Sequence, residues 1–152
     1  PSTSAYIDGL KMLARRELSE AQIRQRLIRK GHDADAIEAA VARLRENRAI
    51  DDARVAEAIA HTELVVKRRG KLRIRRQIEQ AGIAPATARR AIDRVFESVD
   101  DDALLEASLD KRLRGRARVA DQKEFQRLYR YLIVQGFEAD RVVAALKARS
   151  RR

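Results

Sequence analysis

Apolar residues recur at helical spacing around three glycines, Gly31, Gly82 and Gly136, which lie 51 and 54 residues apart. Four and eight residues before each glycine stand Leu27 and Ile23, Ile78 and Ile74, and Leu132 and Leu128. That spacing is the buried stripe of a helix that ends at a glycine just past its C-terminus. His32, Ile83 and Phe137 follow immediately. Six and ten residues after the glycines come Ile37 and Val41, Ala88 and Ile92, and Val142 and Leu146, a second buried stripe. Each glycine therefore joins two amphipathic helices.

A further helical stretch precedes each pair, over residues 4–16, 52–68 and 102–114. Capping signals agree. Ser19 opens Ser-Glu-Ala-Gln as a capping box, Asp51/Asp52 and Asp100, Asp101 and Asp102 open helices, and Pro85 occupies a first-turn position. The expectation is an all-α protein of three tandem three-helix repeats, over 1–48, 49–99 and 100–152, forming an elongated, curved body. The period is too long for helical repeats of about 34 or about 40–47 residues.

Composition narrows the class. With 152 residues, 45% hydrophobic and 38% charged, but only 4% aromatic with six glycines and two prolines, a β-sandwich or barrel is disfavoured. Enough Leu, Ile, Val and Ala are spread along the chain to build a core. The lack of cysteine excludes disulfides, thiolate chemistry and Cys-based metal sites. No apolar run approaches the roughly 18 residues needed to span a bilayer, and Pro1-Ser2-Thr3-Ser4 lacks the regions of a signal peptide. A cytoplasmic protein without membrane contact is expected, with the absent initiator Met attributed to a trimmed chain.

Charge points to a class of partner. There are 34 Lys and Arg against 23 Asp and Glu, a net +11. The excess is spread as 10 cations against 7 acids in residues 1–48, 11 against 7 in 49–99 and 13 against 9 in 100–152. Within that background, Lys67, Arg68, Arg69, Lys71, Arg73, Arg75 and Arg76 put seven cations and no acid into ten residues. A second run is Lys111, Arg112, Arg114, Arg116 and Arg118. Such runs read either as solvated helix faces or as contacts to a polyanion, where guanidinium groups displace condensed counterions. Because Ile74 and Ile78 take the core side of their helix, Arg73, Arg75 and Arg76 fall on its other side, and the seven charges can fan over one surface. Charge alone does not choose between DNA, RNA and an acidic protein.

Catalytic groups are scarce. The glycines are isolated, so no phosphate-cradling loop is present, and His32 and His61 have no convincing third metal ligand. Asp100, Asp101 and Asp102 suit a helix start better than a cation site, and Ser19, Ser98 and Ser108 suit caps or turns. Tyr129 and Tyr131, near Arg127 and Arg130, could stack unpaired bases but fit half-buried anchors of their helix better. No catalytic residue, metal or cofactor is expected.

The motifs also carry a resemblance. Leu10-Lys11-Met12-Leu13-Ala14-Arg15-Arg16-Glu17-Leu18-Ser19 with Leu27 and Lys30-Gly31, Ile50-Asp51-Asp52-Ala53-Arg54-Val55-Ala56, Gly70 to Arg73-Ile74 with Ala81-Gly82-Ile83, and Arg130-Tyr131-Leu132-Ile133-Val134-Gln135-Gly136-Phe137 together resemble the RecX family of recombination regulators. The match runs in order along nearly the whole chain. Departures are small: Val55 stands where an aromatic is commoner, Ile50 replaces Leu, and Gln135 replaces a frequent Arg. The resemblance implies a non-enzymatic protein that binds the RecA recombinase filament on single-stranded DNA along its groove. ATP hydrolysis and strand exchange would then be suppressed, with no small-molecule substrate. The alternative is a general helical-repeat DNA- or RNA-binding protein.

Overall fold

A computed structural model describes residues 2–150. Pro1, Arg151 and Arg152, at the ends of the first and last expected repeats, lie outside the described residues. Among those residues the chain is all-α. Its nine helices are α1 (Ser2–Arg15), α2 (Glu20–Arg29), α3 (Ala34–Glu46), α4 (Asp52–Val65), α5 (Lys71–Gln80), α6 (Pro85–Val95), α7 (Asp101–Leu113), α8 (Gln122–Gln135) and α9 (Ala139–Ser150).

Local chemistry explains the boundaries. Ser19 closes the expected capping box: its Oγ accepts from the Gln22 amide at 3.1 Å while its own amide donates to Gln22 Oε1 at 2.9 Å. Asp33, Asp100 and Asp121 cap α3, α7 and α8 by accepting from first-turn amides, so of the three consecutive aspartates Asp100 is the cap. Of the two residues that follow it, Asp102 pairs with Arg141 at 2.8 Å and Asp101 with Lys71 at 3.1 Å. At the end of α8, Gly136 takes φ +105 and the Phe137 amide reaches back to the Leu132 carbonyl at 3.2 Å, closing the last turn. The α4 helix stops at Val65, short of the expected residue 68, because Arg68 itself turns left-handed at φ +57.

By contact the helices divide into two compact units: one holds the residues up to Ala58 with Ile78–Ala91, the other Ile59–Gln77 with the residues from Ile92 onward. In the first, Ala5, Leu18, Ile23, Leu27, Ile37, Val41 and Leu44 make a continuous apolar core, with Met12 and Leu13 packed on its edge. Ser19, wholly buried, also donates its hydroxyl proton to the Ala81 carbonyl, which tethers the start of α2. The His32 ring meets Asp8 at 2.7 Å, and that hydrogen bond lowers the pKa of the Asp8 carboxyl. In the second unit the buried residues include Ile74, Phe96, Leu105, Leu109, Leu113, Leu128, Leu132, Phe137, Val142 and Leu146. Every residue of the two stripes read around the glycines is buried. None of the described helices is long and apolar enough to cross a membrane.

Candidate polyanion-binding surface

The run from Lys67 to Arg76 contains no acid in sequence, but it meets acids in space. Lys67, Arg68 and Arg69 form the turn between α4 and α5, and Lys71, Arg73, Arg75 and Arg76 lie on α5. Glu63, one turn before the run and almost fully buried, receives Lys67 Nζ at 3.1 Å and Arg69 Nη1 at 3.0 Å. Burial alone would push the Glu63 carboxyl up; the two cations more than reverse this, and its pKa lies below the ordinary carboxylate range. Lys71 bonds Asp101 and sits 5.2 Å from the centre of the Phe96 ring. Arg73 donates from Nη1 to the Val134 carbonyl at 3.1 Å. Lys67, Arg69, Lys71 and Arg73 therefore hold the turn together, which differs from seven cations fanned over one surface. Arg68, Arg75 and Arg76 are exposed.

The second run divides similarly. Arg116 forms a fork with Glu124, at 2.9 and 2.5 Å, while the Ala120 amide donates to the same carboxylate at 2.8 Å. The Arg116 bond is the main cause that lowers the Glu124 pKa to about 2, with the Ala120 amide next. The Arg112 guanidinium lies over the Tyr131 ring, 3.9 Å from its centre. Lys111, Arg114 and Arg118 point to solvent. Among the described residues, Arg68, Arg76, Lys111, Arg112, Arg114 and Arg118 pair with no carboxylate. Both basic runs belong to the second unit.

Helix α8 connects the two runs. Arg112 reaches it at Tyr131 and Arg73 at Val134, positions three residues apart and therefore on one turn. Lys123, Arg127 and Arg130 are exposed on the same helix at i, i+4 and i+7, a spacing that aligns them on one face. Of the three, Arg127 lies 4.0 Å from Glu124, a carboxylate already bonded to Arg116. The sequence reading missed this stripe because apolar residues interrupt it; the signal was the three-four spacing of Lys123, Arg127 and Arg130. Tyr129 and Tyr131 are half-buried, and one face of Tyr131 is covered by Arg112, which makes the anchor role their evident one. His32 is engaged with Asp8 and His61 is exposed. Among the described residues no group of three or more His, Asp or Glu side chains could hold a metal ion.

What this basic, helical chain is related to follows from three comparisons. Residues 5–44, the α1–α3 core, match the family model described as the first three-helix domain of RecX. A regulatory protein RecX of Halorhodospira halophila is 34% identical over 141 residues, covering 92% of this chain and 84% of the relative. The chain belongs to the RecX family of regulatory proteins. A second RecX, from Syntrophotalea carbinolica, is 33% identical over 138 residues and 90% of each chain. In fold, the crystal structure of RecX from Lactobacillus salivarius matches with a TM-score of 0.76 at 17% identity over 97% of both chains. Another RecX crystal structure matches with a TM-score of 0.79 at 22% identity, over 97% of this chain and 71% of that one. RecX kinship thus spans both units, and this family member is a regulatory protein.

Proposed function

We propose that the chain inhibits the RecA recombinase by binding its filament on single-stranded DNA along the groove, so that ATP hydrolysis and strand exchange fall. It acts by occupancy, in the cytoplasm, with no cofactor and no chemistry of its own. The observation that carries this reading is a set of cations with no carboxylate partner among the described residues, Arg68, Arg76, Lys111, Arg112, Arg114 and Arg118 in the two runs with Lys123 and Arg130 on α8, in a chain of this family. Cations already paired to Glu63, Asp101 and Glu124 release few counterions on meeting phosphate, whereas unpaired ones release theirs and gain affinity. The division into repeats over 1–48, 49–99 and 100–152 is part of the same proposal, supported by the glycine-centred pattern and the order of the helices.

The second reading, a general DNA- or RNA-binding protein, is favoured by the same cations taken alone. It predicts steep salt dependence on naked strands, with a log–log slope of about −4 if about six phosphates are contacted. One titration separates the two: single-stranded-DNA-dependent ATP hydrolysis by the cognate recombinase, with DNA in excess and salt fixed. Inhibition at far fewer than one molecule per recombinase subunit is expected. Inhibition only at amounts that coat the DNA would overturn the filament reading.

A further inference from the structure

Seven large hydrophobic side chains are exposed among the described residues, and four of them flank the turn between α4 and α5. Val65 ends α4 at 50% exposure and Val66 follows it at 71%, Leu72 lies in the first turn of α5 at 44%, and Val134 lies at the end of α8 at 59%. Backbone bonds bring these segments together. The Gly70 amide donates to the Gln135 carbonyl at 2.9 Å and the Leu72 amide to the Gly136 carbonyl at 3.1 Å. The approach is so close that a Cβ on Gly70 would stand 2.5 Å from the Gly136 oxygen. The turn is stiff as well: the Arg68 and Arg69 amides reach back to the Leu64 and Glu63 carbonyls, both at 3.0 Å, and the buried Glu63 holds Lys67 and Arg69. Arg68 projects from this apolar rim without a carboxylate of its own.

A phosphate backbone offers little to four aliphatic side chains. Apolar residues at the centre of a patch with arginine at its edge are instead the composition of a protein–protein contact, and a rigid patch loses little freedom on binding. The α8 stripe of Lys123, Arg127 and Arg130 has the opposite composition, cations without a large apolar cluster, and suits phosphates. We propose that the α4–α5 turn is the protein-facing contact of this chain, seating an acidic surface that carries an exposed apolar side chain, while the α8 stripe faces the nucleic acid. The inference rests on the filament reading above and assigns the acidic surface to the recombinase protomers.

The test compares the wild-type chain, Val66→Gln/Leu72→Gln and Arg127→Gln/Arg130→Gln, each checked for helicity and sedimentation. Binding is measured to a fluorescent oligothymidylate, naked and then coated with recombinase and a non-hydrolysable ATP analogue. The apolar variant should lose about tenfold in affinity for the filament and keep its affinity for the naked strand within about twofold. The arginine variant should lose affinity for the naked strand. Equal loss on both targets by the apolar variant would make the turn a nucleic-acid contact and overturn the assignment. So would conversion of a wild-type dimer to monomers by the apolar substitutions with unchanged filament affinity, which would make the occupant a second copy. Tight filament binding by wild type and the apolar variant alike would overturn the turn assignment alone. No filament binding by wild type would overturn the functional reading and this inference with it.

Discussion

Arg68 and Arg114 occupy left-handed backbone positions, φ +57 and +52, at the ends of α4 and α7, where glycine is the inexpensive residue. A side chain with a Cβ costs about 1–2 kcal/mol there, and a cation near a helix C-terminus returns about 0.3–1 kcal/mol through the helix dipole. Arg68→Gly and Arg114→Gly should therefore each change stability by about 0 to +1.7 kcal/mol. For a chain of this size that is a melting temperature unchanged or raised by about 2–4 °C per kcal/mol. Binding should move the other way. If the Arg114 guanidinium contacts a phosphate, the double variant loses about 0.7 from its log–log salt slope on single-stranded DNA, while the loss of Arg68, on the protein-facing turn, weakens binding to the filament only. Arg48, also left-handed at φ +58 but outside both runs, is the control: Arg48→Gly should match the others in stability and leave binding unchanged. The assays are differential scanning calorimetry and anisotropy titrations at several salt concentrations. A fall of more than about 3 °C in the double variant, or an unchanged salt slope, would refute the idea that these arginines are kept for binding.

Glu63→Gln should cost about 3 kcal/mol by urea denaturation, because Lys67 and the half-buried Arg69 would lose their shared carboxylate; a loss below about 1 kcal/mol would show that the turn stands without it. Gly136→Ala, at φ +105 with the new Cβ 2.5 Å from that of Arg73, should cost more than about 2 kcal/mol. Gly31→Ala, at φ +92 but facing open space, should cost only about 1 kcal/mol; equal costs would discount the close approach at Gly136. The folded pKa of Glu124, about 2, lies below the ordinary glutamate value of 4.5, so the stability it contributes is fully present above about pH 4.5 and is lost as pH falls from there toward 2. Arg116 is about half exposed, and solvent screening limits that contribution to about 1–2 kcal/mol. Chemical denaturation at pH 6 and pH 3 should show a smaller acid loss in Glu124→Gln than in wild type; an equal loss would place the acid sensitivity elsewhere.

The helices and their buried faces were legible in the sequence, down to the capping box at Ser19 and the stripes of Ile23 and Leu27, Ile74 and Ile78, and Leu128 and Leu132. These features depend on residues within about four positions of one another, and that is the range over which helical periodicity and capping act. The candidate site was legible only in part. The two basic runs were plain as composition, while the stripe of Lys123, Arg127 and Arg130 was hidden among the apolar positions of its own helix.

Only the tertiary structure decided which cations are available to a partner. Lys71 meets an aspartate 30 residues away, Arg73 a carbonyl 61 residues away, and Arg112 the ring of Tyr131 on another helix. A count of charges along the chain treats these residues as equal to Arg68 or Arg130, because neutralisation depends on distance in space and carries no sequence period. The same holds for the apolar turn. Val66 and Leu72 read as ordinary members of helical patterns, and they remain exposed because Gly70 and Gly136 let two backbones press together and leave those side chains outside the contact. The one-dimensional pattern determined what folds into helices, and the packing of those helices determined which charges and which apolar groups were left for a partner.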